Sequence, residues 1–296
     1  SCGEVFKCPS CDVALTYHKA GGHFLCHYCG HTEPEGSRCP KCGGVLKRTG
    51  AGTQRIEETL GELLPGARIL RMDTDTTGTR GAYEKKLAAF ARGEYDVMVG
   101  TQMIAKGLDF PNVTLAGVLN GDAGLGAGDY RSSERAFSLI TQVVGRSGRG
   151  EKSGRAYIQT FDPENPVIAY AAAQDYESFY RDEIEMRRNL LYPPFCDLLA
   201  IGVSGADEGA VKRAAQRVCG VLREETLDAA HIAMKLVGIT PAAVYRVSGK
   251  YRYRVVVKCR MNRAFREVVA RVLRRCGRER GFGGIHIFAD VNGELL

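Results

Sequence analysis

Cysteines are concentrated near the start of the sequence, at a spacing suited to metal binding. Seven of the eleven cysteines precede residue 43. Six of them form Cys-x-x-Cys pairs: Cys8/Cys11, Cys26/Cys29 and Cys39/Cys42. Such a turn directs two thiolates at one metal ion, and two turns complete a tetrahedral zinc site. Disulfides would be the alternative in a secreted chain, but nothing else indicates secretion, so we predict a zinc module over residues 1–49.

The number of cysteines indicates two zinc sites, one of them incomplete. The first zinc ion would be held by Cys8, Cys11, Cys26 and Cys29. The second would be held by Cys2, Cys39 and Cys42. If Cys2 belongs to a fourth pair, the missing ligand would lie two residues before Ser1.

A catalytic zinc site is the alternative for this segment. His31-Thr32-Glu33 followed by Cys39-x-x-Cys42 superficially resembles the His-x-Glu…Pro-Cys-x-x-Cys signature of base deaminases. Arg38 stands where that signature has proline, and the segment between the two halves is short. A shell made only of thiolates also leaves no open position for water, so a structural site is favoured.

A Gln-x-x-Gly-Arg-x-Gly-Arg run is suited to phosphate chemistry. It extends from Gln142 to Arg149. On a helix, Gln142, Arg146 and Arg149 would lie along one side, because residues three and four apart are neighbours. Guanidinium groups suit the charge that develops on a transferred γ-phosphoryl group. The alternative is an ordinary helix with a glycine-rich C-terminal cap.

Two other segments could belong to the same site. Thr101–Pro111 directly follows an apolar strand, where α/β sheets place ligand-contacting loops. Thr53 is a candidate N-cap for a helix with Glu57 near its first turn. The phosphate-binding pattern Gly-x-x-x-x-Gly-Lys-Ser/Thr and an Asp-Glu-x-His metal-binding motif are both missing from the sequence. The chain would therefore supply half of an ATP site and should not hydrolyse ATP alone.

Positive charge is concentrated near the end of the sequence. Residues 245–280 carry 13 Lys or Arg and two Glu, whereas the rest of the chain has a net charge of −4. A solvated surface is the simple explanation, but a basic block on a slightly acidic chain favours a nucleic-acid surface. Within the predicted strand Tyr251–Cys259 and its approach, Lys250, Arg252 and Arg254 would share one face.

The pattern of apolar residues predicts the elements that position these groups. Residues 50–165 alternate strands with helices, which indicates an α/β domain with a parallel sheet. Residues 166–192 are predicted to form a helical connector. Residues 193–296 follow the order βαββαβ, which predicts an α+β ferredoxin-like domain with a four-stranded antiparallel sheet. No apolar run reaches about 18 residues, so no membrane segment is expected, and metal-binding cysteines favour the cytoplasm.

The order of these features resembles the PriA family of primosomal DNA helicases. The resemblance covers the cysteine module, the second RecA-like lobe of a superfamily 2 helicase (motifs V and VI), the Tyr192-Pro193-Pro194-Phe195 segment and the basic domain. The segment from Gly238 to Arg254 is similar to the family's Gly-Pro-x-Pro-Ala…Lys-Tyr-Arg-Trp pattern. Ile239 and Tyr253 depart from it.

The resemblance implies roles for individual residues. Gln142, Arg146 and Arg149 would stabilise the γ-phosphate, and Gly107 and Asp109 would border the nucleotide. Residues expected to contact DNA are Thr101, Gln102, Lys250, Tyr251, Arg252 and Arg254. The family further implies Zn²⁺, ATP and Mg²⁺ as cofactors, and forked or junction DNA, the primosome and single-strand-binding proteins as partners in replication restart.

A protein of a different class is the competing hypothesis. A non-enzymatic zinc-ribbon adaptor could carry the cysteines and the basic domain to bind nucleic acid. It would have no need for two arginines on a Gln-x-x-Gly-Arg-x-Gly-Arg helix, so the sequence favours the helicase.

Overall fold

The computed structural model describes residues 7–18, 22–34, 41–44, 52–77, 81–104, 110–125, 129–146, 153–227 and 233–293. The chain divides into two compact units. One contains residues 1–47 together with 185–296, and the other contains residues 48–184. The cysteine module therefore shares a unit with the distant C-terminal domain. Among the described residues no helix is long and apolar enough to cross a membrane.

The unit of residues 48–184 contains two parallel strand pairs flanked by helices. β4 (Ile69–Met72) pairs with β5 (Val97–Gly100), and β6 (Leu115–Val118) pairs with β7 (Arg155–Ile158). The helices are α1 (Thr53–Leu63), α2 (Thr74–Thr77), α3 (Ala82–Ala91), α4 (Ser132–Val144), α5 (Pro166–Ala173) and the start of α6 (Tyr176–Leu190). Parallel pairing with intervening helices agrees with the predicted α/β lobe.

An apolar cluster joins α4, α5 and α6. Phe137 stacks on Phe179 with ring centroids 4.1 Å apart, and Ile140, Ile168 and Ala171 are buried beside them. α5 begins with Pro166 at its first position, and the side chain of Asn165 caps it by accepting from Val167 N. The predicted helical connector is thus two helices, the first of which packs against α4.

The C-terminal domain has the predicted βαββαβ order. Its strands are β8 (Asp197–Gly205), β9 (Met234–Val247), β10 (Lys250–Cys259) and β11 (His286–Val291), and its helices are α7 (Glu208–Thr226) and α8 (Arg263–Arg278). The antiparallel sheet has the order β11-β8-β10-β9. Alternate residues of β8 and β10 are buried with both helices in one core, so the helices cover one face of the sheet.

β9 extends well beyond Ile239, where the apolar pattern of Ile232–Ile239 predicts that this strand ends. It continues to Val247 and forms a hairpin with β10 through a turn at Ser248 and Gly249, whose φ angles are 49° and 76°. Two successive positive φ values match the tight hairpin turn whose twist suits antiparallel strands. Pro241 does not end the strand, because β9 lies at the edge of the sheet, where a missing N–H is tolerated.

The described part of the cysteine module is a small antiparallel sheet. Its strands are β1 (Thr16–His18), β2 (His23–Leu25) and β3 (Thr32–Pro34). Lys7 and Ala14 form an isolated bridge before β1. Such short strands bury little apolar area, so this module depends on the cysteines for its stability.

Candidate metal centre and nucleic-acid interface

The two Cys-x-x-Cys turns meet as predicted. The Cys8/Cys11 turn lies before β1, and the Cys26/Cys29 turn joins β2 to β3. All four Sγ atoms lie within 4.8 Å of one another, and the Cys8 and Cys29 Sγ atoms are 3.6 Å apart. Cys8, Cys11 and Cys26 are buried. Four converging thiols suit a closed tetrahedral zinc site.

The local backbone shapes both turns for this purpose. The amide of Cys8 donates to the Val13 carbonyl at 3.0 Å, and the amide of Gly30 donates to the Cys26 carbonyl at 2.9 Å. Gly30 has φ of 75°, a conformation that glycine adopts without a steric penalty. A backbone hydrogen bond thus contributes to the shape of each turn.

Burial and hydrogen bonding shift the pKa of three of these thiols. Burial raises the pKa of the Cys11 thiol to about 12 and also raises the pKa of Cys8. Burial acts in the same direction on Cys26, but hydrogen bonds from the amides of Cys29 and Tyr28 outweigh it and lower the pKa of Cys26 to about 7. Cys26 is thus the first of these thiols to ionise. Zinc, when bound, would displace the remaining protons and tie the two turns together.

The β9–β10 hairpin packs against the four-cysteine cluster and forms hydrogen bonds with the Cys8/Cys11 turn. The amide of Ser248 donates to Cys11 Sγ at 3.1 Å. Two backbone bonds reinforce the contact, from Gly249 N to Ser10 O at 2.7 Å and from Asp12 N to Arg246 O at 2.9 Å. Val247 also packs against the cysteine cluster. The Ser-Gly pair could have suggested a hairpin turn, but no pattern in the sequence indicated where that turn would dock.

The structure describes only some residues of the second predicted zinc site and of the segment that resembles the deaminase signature. Cys2 and Cys39 lie outside the described residues, and Cys42 is exposed. His31 Nε2 lies 3.0 Å from Glu33 Oε1, so these two side chains bind each other. Among the described residues, the metal-ligand cluster consists of Cys8, Cys11, Cys26 and Cys29.

Some of the residues predicted to form the nucleotide site lie in the part of the chain that the structure describes. Gln142 lies in the last turn of α4, where its amide donates to Ser138 Oγ at 2.9 Å, and Arg146 follows the end of the helix. Thr101 and Gln102 are exposed immediately after β5. Gly107, Asp109 and Arg149 lie outside the described residues. The predicted helix is confirmed as far as Val144, but it ends at a Gly145 C-cap, so helical spacing does not place Arg146 on the same side as Gln142. The roles assigned to these side chains stay predictions.

The prediction that Thr53 caps α1 is wrong. Gly52 is the N-cap, and Thr53 is the first helical residue. The Thr53 hydroxyl instead donates to Asp73 Oδ2 at 2.6 Å, and Arg71 bridges Asp73 and Glu57. Burial opposes ionisation of Asp73, but hydrogen bonds from Thr53 and Thr76 hold its pKa below its usual range. This network fixes the start of α1 to the end of β4.

The arginine face of β10 is arranged as predicted. Tyr253, Val255 and Val257 are buried toward the helices, so Arg252 and Arg254 lie on the opposite face. Lys250 is exposed at the start of the same alternation. The guanidinium groups lean over β9, where Arg252 Nη1 lies 3.4 Å from Val244 O and Arg254 Nη2 lies 3.5 Å from Pro241 O.

Both tyrosines of this segment lie on the other face of β10. Tyr253 is buried, and its hydroxyl donates to Glu208 Oε1 at 3.0 Å. Tyr251 is half-buried, with the Arg246 guanidinium 5.0 Å from its ring centroid. Tyr251 therefore does not share a surface with Lys250, Arg252 and Arg254.

Part of the rest of the basic block is neutralised by ion pairs. On α8, Arg271 pairs with Glu225 at 2.8 Å, and Arg275 pairs with Glu224 and Glu225. Arg217 of α7 pairs with Glu279 at 2.8 Å. Some of the positive charge near the end of the sequence is thus paired on the helices, and some lies on β10 as Lys250, Arg252 and Arg254.

Three protein families match successive parts of the chain. Residues 8–34 match the PriA DNA helicase Cys-rich region (CRR) domain, and residues 49–151 match the helicase conserved C-terminal domain. Residues 188–291 match the primosomal protein N C-terminal domain. The replication restart protein PriA of Bacillus subtilis is 41% identical over all 296 residues. The chain belongs to the PriA family.

Other PriA proteins give the same result. Those of Synechocystis and Chlamydia pneumoniae are 41% and 42% identical, and each match covers 87% of this chain. The chain spans only 36% of the Bacillus subtilis PriA, 31% of the Synechocystis protein and 34% of the Chlamydia protein. It thus corresponds to about a third of the length of its PriA relatives.

Proposed function

We propose that the chain works as part of an ATP-dependent 3′→5′ DNA helicase that restarts replication at stalled or branched forks. In the complete enzyme, ATP and Mg²⁺ would drive unwinding, and zinc would have a structural role. The sequence has no Gly-x-x-x-x-Gly-Lys-Ser/Thr loop, so ATP hydrolysis would require a second lobe that supplies it. The primosome and single-strand-binding proteins would be its partners in the cytoplasm.

The arginine face of β10 carries the DNA-binding part of this proposal. Lys250, Arg252 and Arg254 stand in line on the side of the sheet opposite α7 and α8. Their strand begins at the hairpin that the cysteine centre holds through Ser248. Cations on a strand that is fixed at one end can contact successive phosphates with little loss of conformational freedom.

The end of α4 supports the nucleotide-binding part. Gln142 lies in the last helical turn, and Arg146 follows the Gly145 C-cap. A guanidinium group at a helix end can reach a phosphate bound by another lobe, as an arginine finger does. Arg149 would extend this arrangement by one more cation.

The salt dependence of fork binding tests the DNA-binding surface. In the variant with Lys250, Arg252 and Arg254 changed to Ala, affinity for forked DNA should fall. The slope of log association constant against log salt should flatten by about two or more, since each lost phosphate contact contributes 0.7 to 0.9. The matched control changes Arg263, Arg274 and Arg278 of α8 to Ala, which removes equal charge from the helical side. Equal effects of both triple variants, or an unchanged slope in the first, would reject this surface.

A further inference from the structure

The face of the C-terminal sheet opposite the helices contains a trough with different chemistry on its two sides. Residues paired across β11, β8 and β10 form two rows. The first is His286–Ser204–Arg252 and the second is Phe288–Gly202–Arg254. In these rows the central strand β8 contributes only the small residues Ser204 and Gly202, and Ala200 follows in the next row, before the buried Leu198. The small residues leave a cavity of ≈ 110 Å³ between Phe288 on β11 and arginines on β10.

The Phe288 ring lies over Gly202, where the lack of a side chain leaves room for it. A Cβ atom at residue 202 would overlap the tip of the Phe288 ring. The ring therefore reaches across β8 against the backbone, yet 43% of the residue is exposed. The His286 ring lies beside it, with the centroids 5.8 Å apart. An aromatic ring supported by a sheet and open to solvent is a platform on which a planar group can stack.

The opposite wall of the trough is cationic. Arg252 and Arg254 both line the cavity on the β10 side, whereas Asp290 lines it on the β11 side, one row beyond Phe288. Beyond these rows the same face is covered, because Lys258 donates to the Leu190 carbonyl and lies 4.1 Å from the Tyr192 ring centroid. The accessible part is thus limited to a stretch where aromatic and cationic groups face each other.

We propose that this trough binds one unpaired nucleotide of single-stranded DNA, with its base stacked on Phe288 and its phosphates at Arg252 and Arg254. The inference rests on the proposed function and adds a base-binding position to it. Stacking on an exposed ring suits any base, and guanidinium groups suit phosphate, which is the combination found in single-strand-binding surfaces. Two guanidinium groups and one carboxylate, that of Asp290, line the cavity, so its net positive charge favours an anionic nucleic acid over an apolar protein segment.

A tryptophan probe tests whether a base reaches the ring. The sequence contains no Trp, so Phe288→Trp introduces the sole tryptophan of the chain. Its emission should be quenched by oligodeoxythymidine of about a dozen nucleotides, because stacked bases quench indole, and an abasic strand of equal length should leave it unchanged. Leu227→Trp is the matched control, since Leu227 is 77% exposed at the end of α7. Equal quenching by the abasic strand, or none by the thymidine strand, would overturn the proposal.

Binding measurements with three further variants test the same contact without a reporter. Phe288→Ala should weaken oligodeoxythymidine binding by about 5- to 100-fold, with an unchanged salt slope and no change for the abasic strand. Gly202→Ala keeps the ring but displaces it, so it should weaken binding in the same way, whereas Phe288→Tyr should retain binding. A folded Phe288→Ala variant with normal affinity would overturn the stacking contact. That result would reject only the stacking contact. A salt slope that flattens in the variant lacking Lys250, Arg252 and Arg254 would still support the proposed DNA-binding surface.

Discussion

The backbone amide of Ser248 lies 3.1 Å from Sγ of Cys11, and this hydrogen bond joins residues 237 positions apart. The donor belongs to the turn of the β9–β10 hairpin, and the acceptor is one of four cysteines that converge on one point. An amide that donates to a thiolate stabilises its negative charge and orients it, as outer-layer groups do in metal sites. Metal binding and the conformation of the basic hairpin should therefore be coupled.

Zinc removal should loosen the hairpin. Without the metal, the Cys11 turn loses its anchor, so the amides of Asp12, Ser248 and Gly249 should exchange hydrogen about 2- to 10-fold faster, the effect of weakening a bond worth roughly 0.5–1.5 kcal/mol. Hydrogen exchange followed by mass spectrometry, before and after chelation, measures this. Amides of α4 in the other unit are the internal control. Identical exchange of the hairpin amides with and without zinc would contradict the coupling.

Individual cysteines should differ in how they hold zinc. Cys26→Ser should abolish the slowly chelated zinc, because Cys26 belongs to the buried four-cysteine cluster. Cys42→Ser, the matched control, should leave that zinc in place and affect only metal that chelators remove quickly. Elemental analysis and a colorimetric chelation time course distinguish the two. Freshly purified protein without zinc would refute the metal assignment as a whole.

Glu208 should stabilise the C-terminal domain in a pH-dependent way. Lys212 and the hydroxyls of Tyr245 and Tyr253 lower the pKa of Glu208 to about 2. Because this is below the value near 4.3 of an unfolded chain, the ionised group stabilises the fold above about pH 4.3 and loses this effect as the pH falls toward 2. The stability difference between the native chain and Glu208→Gln, from urea unfolding, should shrink over that range. A difference that is constant with pH would contradict the assignment.

In the complete helicase, Arg149→Ala should reduce ATP turnover by roughly 10³-fold, the scale of losing an arginine finger. DNA affinity should change little, because this side chain is assigned to the nucleotide. Steady-state ATPase assays and fork-binding titrations measure the two effects separately. Normal turnover in the variant would mean that the Gln-x-x-Gly-Arg-x-Gly-Arg run has another role.

The sequence predicted those features that depend on local spacing. Two Cys-x-x-Cys turns were enough to identify the four converging cysteines, and strand alternation was enough to place Arg252 and Arg254 on one face. The strand predicted over Ile232–Ile239 was too short at its end, because β9 continues through Pro241, which an edge strand tolerates. The docking of Ser248 on Cys11 and the position of Phe288 over Gly202 depend on which strands become neighbours. Neither contact has a local pattern that could have revealed it.

The position of bound DNA tests the central claim most directly. A forked DNA carrying photoreactive 4-thiothymidine in its single-stranded arm should crosslink to peptides that contain Lys250–Arg254 of β10 and His286–Phe288 of β11. These segments form the two walls of the trough on the face opposite the helices. Mass spectrometry of the digested complex identifies the crosslinked peptides. Crosslinks confined to α7 and α8 would contradict the account.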